Sequence, residues 1–188
     1  MNIGMDESRR TALRLAEFAR SRIQDPPVAL STDLMLADTL PTDARLAVLW
    51  APHLQVFSGA TASENKQRLY QHLYYTGVNF VAGDAQIFER LDPQKKYFIN
   101  ALVGWGRSDP AWNAGWQPLT AAEIEMEILS YREFTATFNR ERALQPALSY
   151  LIAPAWQQID FTNLDRWYER DGGEAVGAYI IYRLRVHP

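Results

Sequence analysis

The sequence predicts a three-layer α/β domain, in which helices cover both faces of a mostly parallel β-sheet. Short apolar runs typical of buried strands alternate along the chain with longer amphipathic segments typical of helices. Glycine and proline separate these segments, but no linker-like stretch divides residues 1–188, so we expect one domain. Hydrophobic residues make up 47% of the 188 residues, which is enough to build a sizeable core.

The element boundaries follow from capping and breaker residues. Thr120 followed by Glu123 is a capping box, which marks the start of a helix, and Gly77 lies where a helix end favours a left-handed residue. The predicted strands are Val28–Ser31, Arg45–Trp50, His53–Gly59, Asn79–Ala82, Leu148–Ala153 and Ala178–Val186. The first predicted helix is Asp6–Ile23, within an amphipathic lead-in over residues 1–25. Thr32 or Asp33 is expected to cap a helix that runs to about Leu40, and Ser63 or Thr61 to open the helix Glu64–Tyr75. The other predicted helices are Asp84–Leu91, a helix from Thr120 onward and Phe161–Arg170.

Two further segments, Tyr97–Val103 and the C-terminal strand, have distinct sequence patterns. Tyr97–Val103 is continuously apolar, and its pattern fits a helix or a strand equally well. The C-terminal strand, Ala178–Val186, follows a turn at Asp171–Glu174, which predicts that it joins the sheet as an antiparallel edge strand.

The composition excludes several classes of function. The 19 basic and 22 acidic residues give a net charge of −3 without long blocks of either sign, so we expect no nucleic-acid partner. The absence of cysteine excludes disulfides, iron–sulfur clusters, thiolate zinc sites and a cysteine nucleophile. The longest apolar run, Leu46–Pro52, is far shorter than the ~20 residues that span a bilayer, so the chain as given is expected to be soluble.

A tryptophan-rich segment at residues 104–116 is the first candidate site. It contains three indoles with an arginine and a carboxylate between them: Trp105, Arg107, Asp109, Trp112 and Trp116. Indole faces pack on the apolar faces of sugar rings, and Arg or carboxylate groups bond the hydroxyls, so this mixture is typical of saccharide-binding surfaces. The alternative interpretation is structural, with the indoles holding a long loop against the domain.

A second candidate site combines His53 with two carboxylates. His53 follows an apolar strand, and ligands of open α/β sheets bind beyond the carboxyl ends of strands. Asp165 and Glu169 share one face of the predicted helix Phe161–Arg170, which suits two-carboxylate chemistry. An exposed, ion-paired helix surface explains the same pattern. We predict no metal site and no cofactor, because no phosphate-binding loop, His-Glu-x-x-His or EF-hand motif occurs.

Several sequence segments resemble those of a known protein family. They are PPVALSTDLMLADTLPTDARLAVLWAPHLQVFSGATASE, LYQHLYYTGVNF, LSYLIAP and the closing GEAVGAYIIYRLRV. In this order, over roughly residues 25–188, they resemble the soluble C-terminal domain of multi-spanning bacterial membrane proteins similar to C-superfamily glycosyltransferases.

The resemblance implies a non-catalytic accessory domain on the extracytoplasmic side of the membrane. In such proteins the catalytic acid lies between membrane helices, in a part that this chain does not contain, so no catalytic residue is carried over. The implied partners are a saccharide or lipid-linked sugar and the membrane-embedded part of the parent protein. Two alternatives remain open: a free-standing soluble enzyme that uses His53 or a carboxylate, and a structural module whose tryptophan segment contacts another subunit.

Overall fold

The computed structural model describes residues 27–44, 46–52, 61–103 and 117–188, together with residues 10, 13, 14 and 17 near the N-terminus. The chain forms two compact units, one of Met1–Gly77 with Asn139–Pro188 and the other of Val78–Phe138. The interpretation as a single domain stays a prediction. The four described residues near the N-terminus are helical, and the remainder of the predicted lead-in helix lies outside the described residues.

The described elements alternate between short strands and helices. The strands are β1 (Val28–Ser31), β2 (Ala47–Val48), β3 (Tyr150–Pro154), β4 (Tyr168–Arg170), β5 (Glu174–Val176) and β6 (Tyr179–Val186). The α-helices are α1 (Leu34–Thr39), α2 (Ala62–Tyr75), α3 (Pro93–Val103), α4 (Ala121–Ala136) and α5 (Arg140–Ala143). A π-helical turn, Leu40–Ala44, follows α1, and a 3₁₀ turn, Phe88–Arg90, precedes α3.

The first unit contains a mixed six-stranded sheet, which confirms the α/β class. The strand order is β2-β1-β3-β6-β4, and β5 also pairs with β6. Strands β2, β1 and β3 are parallel, with Leu30 opposite Leu151, whereas β6 is antiparallel to β3, with Ile152 opposite Ile181. The antiparallel direction of the C-terminal strand was expected, but β6 lies between β3 and β4, so β4 is the terminal strand of this path.

The core of the first unit lies against one face of this sheet. Ala29, Ile152 and Ile181 belong to a buried cluster that includes Leu36 of α1 and Leu40 of the π-helical turn. Successive side chains of a strand point to opposite faces, and the chain neighbours Leu30 and Leu151 are also only 1% exposed. Both faces of the central strands are therefore covered.

Local signals predicted α2 and α4 correctly. Thr61 caps α2 and Thr120 caps α4, each through a reciprocal capping box with the glutamate three residues later. Gly77 ends the α2 region with φ 73°, in the left-handed conformation that its position predicted.

The predicted helix Phe161–Arg170 is wrong, because the segment forms turns that lead into β4. Local and tertiary hydrogen bonds replace a continuous helical ladder. The Asp160 carboxylate accepts the Thr162 N–H at 2.9 Å, and the Asn163 amide donates to the Tyr74 carbonyl at 2.8 Å. Tyr168 then pairs with Val186 in the sheet, so tertiary contacts overrode the helical periodicity.

The second unit is helical. Helix α3 includes Tyr97–Val103, which resolves the ambiguous apolar run, and it packs against α4. The Tyr131 hydroxyl donates to the Val78 carbonyl at 2.8 Å, and its ring meets Phe80 edge-on at 5.6 Å. The predicted strand Asn79–Ala82 does not form, and the predicted helix Asp84–Leu91 is limited to one 3₁₀ turn.

Candidate functional site

The polar run Ser31-Thr32-Asp33 leaves the carboxyl end of β1. The Thr32 N–H donates to the Ile152 carbonyl at 3.0 Å, which continues the parallel ladder with β3. Asp33 then turns the chain into α1, and its Oδ1 accepts the N–H groups of Met35 and Leu36 at 2.9 and 3.1 Å. The Asp33 side chain is therefore held in place as the N-cap of α1.

Tyr179 brings a second strand to Asp33. Its hydroxyl donates to Asp33 Oδ2 at 2.6 Å, and its side chain is buried at the start of β6. Tyr179 pairs with Pro154 at the end of β3, so three strands meet at this edge of the sheet.

A tight turn after β3 completes the arrangement. The Gln157 N–H donates to the Pro154 carbonyl at 3.0 Å, and the Thr32 hydroxyl donates to Gln157 Oε1 at 2.5 Å. Trp156 lies in the middle of this turn with 82% of its surface exposed. We name Thr32, Asp33, Trp156, Gln157 and Tyr179 the carboxyl-edge cluster.

The electrostatics of the carboxyl-edge cluster depend on Asp33. Its carboxylate accepts three hydrogen bonds from neutral donors and forms no ion pair with any residue that the structure describes. The cluster itself contains no lysine or arginine. An exposed indole, a carboxylate and a primary amide thus lie at the edge where open α/β sheets bind ligands.

The predicted pair Asp165 and Glu169 does not share a helix face. Asp165 lies in a turn and forms a bidentate ion pair with Arg170, at 2.9 Å to Nε and 3.1 Å to an Nη. This bond to Asp165 is the main cause that raises the pKa of Arg170. Glu169 is exposed on β4, where it is in register with Arg185.

Arg170 is further enclosed by aromatic rings. Its guanidinium carbon lies 3.8 Å from the centre of the Phe161 ring and 5.5 Å from the centre of the Tyr182 ring. We name Phe161, Asp165, Arg170 and Tyr182 the Arg170 cluster. The Asp165 carboxylate is neutralised by the Arg170 guanidinium. An ion pair at Asp165 was the alternative to a catalytic role in the sequence analysis, although the helix expected to carry it does not form.

The other predicted site residues lie outside the described residues. They are His53 and the tryptophan-segment residues Trp105, Arg107, Asp109, Trp112 and Trp116. Their proposed roles stay predictions.

A buried histidine in α2 lies next to a tryptophan. His72 is 1% exposed, and its ring centre lies 5.6 Å from that of Trp50. Burial lowers the pKa of His72 to about 4, so the side chain is neutral at pH 7. Among the described residues, no group of three or more His, Asp or Glu side chains is arranged to hold a metal ion.

The second unit carries a surface pocket of about 430 Å³. It is lined by the 85–90 turn and by the first residues of α4, with buried Ile124 among its apolar lining residues and Arg90 and Glu89 among its polar ones. The Glu89 carboxylate already forms an ion pair within the protein, with 3.3 Å between its Oε2 and Lys96 Nζ.

Sequence reasoning considered Asp33 only as one of two possible helix caps, the other being Thr32, and missed its partners. The contacts of Asp33 with Tyr179 and of Thr32 with Gln157 join residues 146 and 125 positions apart. The available signal was the polar run directly after a buried strand, which marks the same sheet edge at which His53 was predicted to act.

Comparisons with known proteins identify no relative. The chain matches no protein-family model, no curated protein and no solved structure. Within the described residues, no helix combines the length and the apolar character needed to cross a membrane.

Proposed function

We propose that this chain is a non-catalytic accessory domain that binds a saccharide at the carboxyl-edge cluster. The observation that carries the proposal is that 82% of the Trp156 surface is exposed. Its chain neighbour Gln157 accepts a hydrogen bond from the Thr32 hydroxyl. An exposed indole offers a flat apolar face for a sugar ring, and neighbouring amide, hydroxyl and carboxylate groups can bond its hydroxyls. Internal hydrogen bonds hold these polar groups in position before a ligand arrives, which lowers the entropic cost of binding.

The polar neighbours of Trp156 favour a polar ligand over a membrane surface. Interfacial tryptophans that anchor proteins to anionic bilayers act together with nearby Lys or Arg residues. The carboxyl-edge cluster contains Asp33 and no basic residue. The cluster itself therefore offers an anionic lipid surface no basic anchor.

The wider setting is also part of the proposal. We assign the chain to a membrane glycosyltransferase-like parent, on the extracytoplasmic side, where it would position a free or lipid-linked sugar for the membrane-embedded part. We also infer a three-layer architecture. The burial of Leu30 and Leu151 as well as Ala29 and Ile152 supports helices on both faces of the sheet.

The decisive experiment measures saccharide binding by calorimetry for a matched set of variants. Using a neutral oligosaccharide selected on a glycan array, we expect Trp156→Ala to weaken binding about tenfold or more, because the stacking surface is lost. Trp156→Phe should keep part of the affinity. Gln157→Ala should weaken binding, whereas Gln158→Ala, at the exposed neighbouring position, should not. The melting temperature of Trp156→Ala should stay unchanged, since the side chain is mostly exposed.

The tryptophan segment offers the competing location for the same function. Loss of saccharide binding in Trp112→Ala, with binding retained in Trp156→Ala, would move the site to that segment. If no saccharide binds the unmodified protein, the proposed function is wrong at both places.

Cell fractionation with an antibody against this chain tests the parent protein. A membrane-bound band several times larger than 21.5 kDa, accessible to external protease, would support the accessory-domain assignment. A soluble band at 21.5 kDa would remove that assignment and favour a free-standing protein.

A further inference from the structure

We infer that Asp33 determines the specificity of the site, so that it accepts neutral saccharides and rejects acidic ones. This inference rests on the proposed function, because it names the ligand class of the same site. It begins from the charge of Asp33, which no described residue neutralises. Oδ1 accepts two backbone N–H groups and Oδ2 accepts the Tyr179 hydroxyl, and all three donors are neutral.

The position of Asp33 places its charge next to the groups that would bond a sugar. Thr32, its chain neighbour, is bonded to Gln157 across the sheet edge, and Trp156 adjoins Gln157. A ligand that stacks on Trp156 and accepts or donates a hydrogen bond at the Gln157 amide therefore binds at the same sheet edge as the Asp33 carboxylate. A like charge on a ligand at this edge is repelled by the carboxylate, and no described residue forms an ion pair with Asp33 that would offset the repulsion.

The same carboxylate suits a neutral sugar. After accepting one hydrogen bond from Tyr179, Oδ2 retains acceptor capacity for a ligand hydroxyl. Hydrogen bonds to an ionised acceptor are stronger than neutral ones, so Asp33 adds affinity for hydroxyls while it excludes carboxylates. In the Arg170 cluster, by contrast, Asp165 is neutralised by Arg170 and exerts no such selection.

The test compares one oligosaccharide in two charge states. The neutral oligomer that the protein binds is compared with the same oligomer oxidised at C6 to the uronate, in the unmodified protein and in Asp33→Asn. Asparagine caps helices as well as aspartate does and has nearly the same size, so this variant removes the charge and keeps the fold. Its melting curve serves as the control.

We expect the unmodified protein to bind the neutral oligomer about tenfold or more tightly than the uronate, a preference that Asp33→Asn largely abolishes. Added salt should reduce the preference in the unmodified protein. Equal binding of both oligomers to the unmodified protein would overturn the inference and leave the proposed function standing. A preference that persists unchanged in Asp33→Asn would also overturn it. Failure of both oligomers to bind would instead contradict the proposed function.

Discussion

Asp33 and Asp165, two carboxylates of the same structural unit, differ in whether they form an ion pair. Asp165, in the Arg170 cluster, is held by a bidentate bond from Arg170, whose guanidinium also stacks on Phe161. Asp33, in the carboxyl-edge cluster, is held by two backbone N–H groups and by Tyr179. Both side chains are ordered by hydrogen bonds, but only Asp165 has a counterion among the described residues.

This difference separates a stabilising contact from a candidate ligand site. In the Arg170 cluster the charges cancel and the aromatic rings cover the guanidinium, so little remains to attract a ligand. In the carboxyl-edge cluster the hydrogen bonds orient the carboxylate without pairing it with a cation, and the indole of Trp156 in the same cluster is exposed. A charged side chain without an ion-pair partner is thus a better guide to a ligand site than the number of polar groups in a cluster.

The largest effect we expect comes from acid, which should destabilise the unit that contains both clusters. The pKa of His72 is about 4 in the folded state, against 6.5 for the unpaired side chain. Because the unfolded chain takes up the proton first, the contribution of His72 to the free energy of unfolding is constant well above pH 6.5 and falls as the pH drops from 6.5 towards 4. The total loss is about 3 kcal/mol.

Urea unfolding at several pH values measures this dependence. In His72→Gln, which cannot be protonated, the loss of stability between pH 6.5 and 4 should be smaller by about that amount, whatever the variant's stability at pH 7. If the free energy of unfolding falls equally with decreasing pH in both proteins, burial of His72 does not control the loss of stability in acid.

The two carboxylates themselves can be compared directly by deletion. Asp33→Ala removes the cap of α1 and the acceptor of Tyr179, so we expect a loss of about 1–2 kcal/mol and loss of saccharide binding. Asp165→Ala removes only an exposed ion pair, so stability should fall by about 1 kcal/mol or less and binding should be unchanged. Chemical denaturation and calorimetry measure both. Reduced binding in Asp165→Ala alone would reverse the comparison.

The last comparison concerns stability alone, at the cation of the Arg170 cluster. Arg170→Ala loses the bidentate pair and the contact with Phe161, which together are worth about 1 kcal/mol at a partly exposed site. Arg166→Ala, at an exposed position on the same segment, should change stability by less than about 0.5 kcal/mol. Equal values for the two variants in denaturant unfolding would mean that the stacked geometry adds nothing.

Local chemistry explains which predictions were confirmed. The capping box at Thr120 and the left-handed Gly77 formed as predicted, and Asp33 and Thr61 proved to be the caps among two candidates each. All four features depend on residues within a few positions. The helix Phe161–Arg170 failed because its periodicity competed with pairing of Tyr168 to Val186 and with hydrogen bonds to Tyr74. Such partners are remote in sequence, and periodicity contains no information about them.

The sequence by itself determined the α/β class, the apolar strands β1 and β3, the capped start of α4, and the starts of α1 and α2 to within two residues. These follow from hydrophobic periodicity and from side chains that bond their own backbone. Only the tertiary structure decided that β6 lies between β3 and β4, and that Tyr179 and Gln157 reach the end of β1. The reason is physical, because strand pairing depends on the packing of the whole sheet and brings together groups more than a hundred residues apart.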